Sequence, residues 1–449
     1  ALDRSSGPPL HEAVAVVALN ASALAALVLI GPAGSLAVVT MAVAAPLLGA
    51  LLRRPQRGLL VLAALVPFDG LLLIIGHPGP AEGWKEALVL LTLGATVVAP
   101  ASARAVPGGR RPVWAPATAA LVGLAVLSSL TAGLVQGAVG LKVGFFYVLL
   151  GVAAWRCPLD ARERDRLVTI LMGVGLVTAL VGLAQQVVGP ARLFELGYEY
   201  NETIRYAGGQ LRSFSTFNQP FPFAFFLVLV LLVGVPVALS EPARLRSRLF
   251  LLSLPLFALA LVSTVVRGAW LALAVGGAFL AARRHRALFL LVPPALVLLA
   301  YLPKDLASPA FSSDSAAERA TSWRANLDRI VDNPLGVGVG ASGAAAEKAA
   351  SGTGRETYQP DNYYVKTVLE LGLVGLWLFA LVLAGGFSAA RSVAARVGGP
   401  DGALALGVAA SLVAAAAACM ASTYLEIFPL DLYFWLLLAV VARCDTGSP

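Results

Sequence analysis

The feature that most limits what this chain can become is the recurrence of apolar runs about 20 residues long from one end to the other. In hydrocarbon no water can pair with a bare backbone, so a run of that length must satisfy its own amides, as a helix. Runs near 12–30, 33–52, 58–76, 86–103, 114–134, 139–155 and 167–188, then near 219–239, 249–265, 267–282, 287–302, 362–387, 403–422 and 430–442, predict about fourteen crossings. Of the 449 residues 58% are hydrophobic and 13% charged, and the mean hydropathy is +0.81, which excludes an ordinary soluble domain. The expected fold is all-α: one polytopic membrane domain over 1–449, a bundle of about 12 to 14 transmembrane helices. The run from His11 to Ile30 has no small-residue cleavage pattern after it and is read as a span rather than a signal peptide.

The net charge of +8 comes from short arginine clusters between runs, not from one basic face, so a nucleic-acid partner is not expected. "RRPQR", "RAVPGGRR", "RCPLDARERDR", "EPARLRSR", "ARRHR" and "ARSVAAR" fall on alternate turns, which places them, and both termini, on the cytoplasmic side. Two long segments remain for the outer side, 189–218 and 303–361, and long outer loops are where function is sought. In the larger one, Ser312, Ser313 and Asp314 suit a helix cap, and "AAERATSWRANLDRIV" puts Trp323, Leu327 and Ile330 at helical spacing among Arg319, Arg324 and Arg329. That pattern predicts an amphipathic helix on the membrane surface. "DNPLGVGVGASG" then ends it; tight turns explain its glycines, with a phosphate cradle as the lesser alternative because no phosphate-loop spacing is matched.

Arginines and acids gather toward the outer side. Arg205 and Arg212 lie in the first long segment, and Arg267 lies between two spans where positive charge is disfavoured. Solvated or snorkelling side chains would explain them, and so would a diphosphate headgroup held by planar, permanently charged guanidinium groups. In "DNYYVKTVLELGLVG", Asp361 precedes a span, either as a helix cap or as a functional acid. Asn362, Lys366 and Glu370 follow at intervals of four, a polar stripe that must face protein or water; Lys366 and Glu370 can pair. Asp69, Glu426 and Asp431 read as interface acids. Cys157, Cys419 and Cys444 are far apart, His11, His77 and His285 lack partners at ligand spacing, and the outer face has no DxD pair, so neither a metal nor a cofactor is expected.

These motifs resemble the bacterial O-antigen ligases and the related polymerases of surface polysaccharides. The likeness runs from Arg212 to Gly375 and rests on "RSFSTFNQPFPFA", "VRGAWLA", Arg319 and Trp323 before "NPLGVGVG", and "DNYYVKTVLELGLVGL". It implies a metal-independent, inverting glycosyltransferase of the membrane C-type architecture in the bacterial inner membrane, its site facing the periplasm or cell exterior. Undecaprenyl-diphosphate-linked glycan would be the donor, with a second glycan or lipid A-core as acceptor; a chain-length regulator is a further implied partner. Arg267, and more loosely Arg212 with Arg205 beside it, correspond to arginines that contact the diphosphate. The family's ligases carry His-Asn where this chain has Asp361-Asn362, so Asp361 would inherit the role of base, and the change leans toward polymerase. A transporter or lipid flippase is the rival of another class; the absence of an internal repeat and the placement of charge away from the midplane speak against it.

Overall fold

The computed structural model describes residues 48–75, 82–99, 112–207, 209–284, 286, 329–350 and 357–444. Over these residues the chain is an all-α bundle, interrupted by one small antiparallel pair, Tyr206–Ala207 (β1) with Gln210–Leu211 (β2). The helices that matter to the site are Trp114–Ser129 (α1), Leu134–Phe145 (α2), Ala161–Val188 (α3), Pro220–Ser240 (α4), Leu254–Ser263 (α5) and Arg267–Arg283 (α6). Gly343–Ala350 (α7), Tyr363–Arg396 (α8), Gly399–Ala418 (α9) and Leu430–Ala442 (α10) complete them.

Among the described residues four helices, α3, α4, α8 and α9, are long and apolar enough to cross a membrane, and six spans result if two bent pairs count as one each. The pairs are α2 with Val148–Arg156, bent by 49°, and Leu245–Leu252 with α5, bent by 44°. The expected runs at 12–30 and 287–302, and most of 33–52, lie outside the described residues. The run at 58–76 is not one regular helix: Gln56–Leu65 gives way to a 3-10 stretch, Val66–Ile75. Pro67 has no amide to donate there, and its carbonyl accepts from Thr216 Oγ1 at 2.6 Å. Gly70 lies so close to the 217–218 backbone that a Cβ would come within 2.2 Å of it.

Central in the bundle is α4, every side chain of which is buried from Phe223 to Ala238. A helix apolar on all faces has to be covered on all faces. It packs on α9, where Gly407 brings the two backbones together; a Cβ there would sit 2.7 Å from Leu232 O. α9 in turn packs on α6 and α8.

α8 is broken at Gly372, whose φ of 69° and ψ of −173° belong to glycine. The break leaves carbonyls without helical partners, and "NPLGVGVG" supplies them: Val337 N donates to Leu369 O at 2.8 Å and Gly338 N to Glu370 O at 3.2 Å. Ser128 Oγ adds a bond to Glu370 O at 2.9 Å. Gly336, Gly338 and Gly340 all have positive φ and all touch backbone, as at Gly340, where a Cβ would lie 2.3 Å from Gln136 O. The Gly336, Val337 and Gly338 amides are engaged by protein carbonyls, so this part of the glycine run is a packing device and not a phosphate cradle.

The helix ends sort into two groups. At one end the basic connections meet: Arg244 Nη1 is 2.6 Å from Asp165, Arg246 Nη2 2.8 Å from Glu241, and Arg164 Nη2 2.5 Å from Asp401. The other end gathers the segments 205–222, 264–268, 358–362 and 419–428, which carry the candidate residues.

Candidate functional site

The hairpin sets two arginines side by side. β1 and β2 pair Tyr206 with Leu211, and one step outward Arg212 N donates to Arg205 O at 2.9 Å. Like charges facing across a strand pair repel. Arg212 is anchored by Nε to Thr264 O at 3.1 Å and by its guanidinium over the Phe221 ring at 4.9 Å. Arg267 opens α6 two residues after Val265, a β-branched residue held at φ 53°, and such backbone costs on the order of 1–3 kcal/mol. The strained turn carries Arg267 toward Arg212. Burial, then the charges of Arg205 and Arg267, lower the pKa of Arg212 to about 10, which still leaves it cationic at neutral pH. Among the described residues neither Arg205 nor Arg212 has a carboxylate within salt-bridge distance.

Next to these arginines opens a cavity of about 1060 Å³, lined by Asn218, Gln219, Phe221, Tyr358, Asp361 and Glu426 among others. The arginines flank it: Arg212 stacks on the wall residue Phe221, and Gly268, beside Arg267, approaches the wall residue Ala421 within 3.6 Å of an added Cβ. A patch of positive charge thus adjoins a chamber of polar and aromatic side chains.

Asp361 is exposed on that cavity and makes no hydrogen bond or ion pair with the described residues. It is not the cap of α8. Asn362 is: its Oδ1 accepts from Tyr364 N at 2.9 Å and Val365 N at 3.1 Å, and its Nδ2 donates to Met420 O at 3.1 Å. The cap alternative for Asp361 is therefore corrected by one residue, because the extended backbone that a cap needs falls on Asn362 (φ −150°, ψ 120°).

The rest of the stripe is buried. Lys366 Nζ lies 2.5 Å from Glu370 Oε1 and 3.2 Å from Glu426 Oε1, and Glu370 Oε1 also accepts from Ser342 N at 3.0 Å and Ser342 Oγ at 3.1 Å. The pair foreseen between Lys366 and Glu370 exists, and Glu426, read from sequence as an interface acid, joins it. Glu426 sits in the 3-10 turn Tyr424–Glu426, outside the spanning helices, and its Oε2 is buried with no hydrogen bond assigned to it among the described residues. Burial pushes its carboxyl up; Lys366 and the nearby Ala344 amide pull it down but do not prevail.

Other candidates are placed elsewhere. Asp69 accepts from Trp84 Nε1 and pairs with Lys85 Nζ, each at 2.8 Å, and Asp431 is buried. Arg319 and most of the expected surface helix lie outside the described residues, but Arg329 at its end stacks over Tyr358 on the cavity wall at 4.0 Å. Sequence reading missed Ser342, Tyr358 and Phe221, none of which carries a local signal.

Residues 249–380 match the family model described as O-antigen ligase. This stretch takes in Arg267, Asp361, Asn362, Lys366 and Glu370; Arg205 and Arg212 precede it. No curated protein matches the chain. The match supports the resemblance to O-antigen ligases and polymerases, and the apolar helices agree with a multi-pass membrane protein.

Proposed function

From the O-antigen ligase and polymerase family matched over residues 249–380, we propose that this chain is a surface-polysaccharide polymerase, joining glycans carried on undecaprenyl diphosphate. One observation carries the reading: Arg205, Arg212 and Arg267 gather beside a cavity of about 1060 Å³ that displays Asp361, which has no partner among the described residues. In the transfer, a hydroxyl of the acceptor glycan attacks the anomeric carbon of the donor from the face opposite the diphosphate. The C–O bond to the diphosphate breaks, its electron pair stays on the leaving oxygen, and the configuration inverts. The guanidinium groups meet that growing charge with forked, permanently charged donors, so the leaving group needs no bound cation. Asp361 takes the hydroxyl proton.

The positive-inside rule puts the end bearing Arg164, Arg244 and Arg246 in the cytoplasm and the cavity on the periplasmic or outer side of the inner membrane. The family model's own description favours a second reading, ligation to lipid A-core. One experiment separates them. Purified chain is given a polyprenyl-diphosphate-linked oligosaccharide with and without lipid A-core. A ladder of products from the lipid-linked oligosaccharide alone is expected; transfer that requires lipid A-core makes it a ligase, and no transfer in either arm refutes both.

A further inference from the structure

Lys366 stands between two carboxylates, one positive charge against two negative ones unless the cluster also holds a proton. The side chains of Lys366, Glu370 and Glu426 are only 5%, 7% and 3% exposed, and an uncompensated charge at that depth is strongly unfavourable. Hydrogen-bond geometry distinguishes the two carboxylates. Glu370 Oε1 receives the Lys366 ammonium at 2.5 Å and both Ser342 donors, whereas Glu426 receives Lys366 on Oε1 at the longer distance of 3.2 Å, with the Ala344 amide nearby. Oε2 of Glu426 is buried with no hydrogen bond assigned to it among the described residues, and the residue belongs to the wall of the large cavity. Gly343, at φ +69°, packs against that oxygen; a Cβ there would lie 2.6 Å from it. A protonated carboxyl at this place neutralises the cluster and presents an O–H, and a glycan is rich in oxygens that accept one.

We propose that Glu426 is held as a neutral carboxylic acid and donates its Oε2 hydrogen to an oxygen of the acceptor glycan. It is a binding residue, separate from Asp361, and the identity of its ligand rests on the functional reading above. The elevated carboxyl pKa has the right sign: burial favours the neutral form, and the Glu370 charge adds to it against Lys366. Tyr363 from α8 and Asp431 from α10 also interact with it, and Lys348 and Glu347 from α7 line the same cavity; Lys142, on the neighbouring α2, is paired with Glu86. As pH climbs through that raised pKa the O–H is lost and binding weakens.

The test uses the purified full chain with a polyprenyl-diphosphate-linked donor and a free oligosaccharide acceptor. Glu426→Gln keeps a donor N–H and the shape, so acceptor KM stays within about twofold of wild type at neutral pH, and the wild-type rise of KM with pH disappears. Glu426→Leu raises KM about tenfold with kcat less affected. Gln failing as badly as Leu means that a charged carboxylate is needed and overturns the proposal. Infrared difference spectra give a readout independent of turnover: a neutral-carboxyl band, absent from Glu426→Gln, that shifts when the oligosaccharide is added. If wild type transfers nothing, the functional reading fails while this band still decides the proposal; its absence, or its indifference to oligosaccharide, overturns it.

Discussion

Replacing Asp361 by asparagine separates chemistry from folding at the entrance to α8. Asn362, not Asp361, holds the Tyr364 and Val365 amides and reaches across to Met420 O, and Asp361 is exposed with no partner among the described residues. Asp361→Asn therefore removes no fold contact and shifts stability by no more than about 0.5 kcal/mol. Asn362→Ala, one position on, loses the cap and costs about 1 kcal/mol or more. Activity reverses the order. An amide cannot take a proton, and a positioned base contributes roughly 10²–10⁴-fold, about 3–5 kcal/mol of transition-state stabilisation at 1.36 kcal/mol per decade. Transfer from a lipid-diphosphate-linked oligosaccharide is compared between purified proteins matched for thermal unfolding. Asp361→Asn is expected to unfold like wild type and to transfer at least about a hundredfold more slowly, with Asp361→His recovering part of the rate. Near-normal turnover by the folded Asn variant would refute the assignment and leave Asp361 as a solvated charge.

Arg267→Ala should abolish transfer while expression and folding persist, and Arg267→Lys should rescue poorly because an ammonium lacks the fork; full activity in the Ala variant removes Arg267 from the donor site. Transfer should continue in excess chelator, since guanidinium groups are assigned the diphosphate charge; loss of activity restored by Mg²⁺ or Mn²⁺ would mean a cation is required. Lys366→Met leaves the buried Glu370 carboxylate with Ser342 as its remaining donor and should cost about 3–5 kcal/mol in unfolding experiments, whereas a near-neutral result would show that the cluster is not a charged pair.

The sequence by itself determined which stretches are helices. The span read at 219–239 appears as Pro220–Ser240, and the runs at 267–282 and 430–442 appear as the shorter helices Arg267–Arg283 and Leu430–Ala442, because an apolar stretch has one local way to satisfy its backbone. It also marked Arg267 as a charge out of place and Arg205, Arg212 and Asp361 as candidate site residues, and foresaw the Lys366–Glu370 pair, which needs only the four-residue pitch of one helix. Tertiary structure alone decided what depends on residues distant in the chain. The 206–211 hairpin and the strained turn at Val265 bring three arginines together; neither leaves a hydropathy trace. The break at Gly372 is stable only because Val337 and Gly338, from a separate segment, take up the carbonyls it frees. Asn362 rather than Asp361 became the cap through its backbone angles and its bond to Met420, and Glu426 became part of a buried ion cluster because the turn before α10 folds over Lys366. Hydropathy and helical pitch are local and can be read from neighbouring residues; charge compensation, desolvation and the pairing of stray backbone groups are settled only once distant segments are in contact.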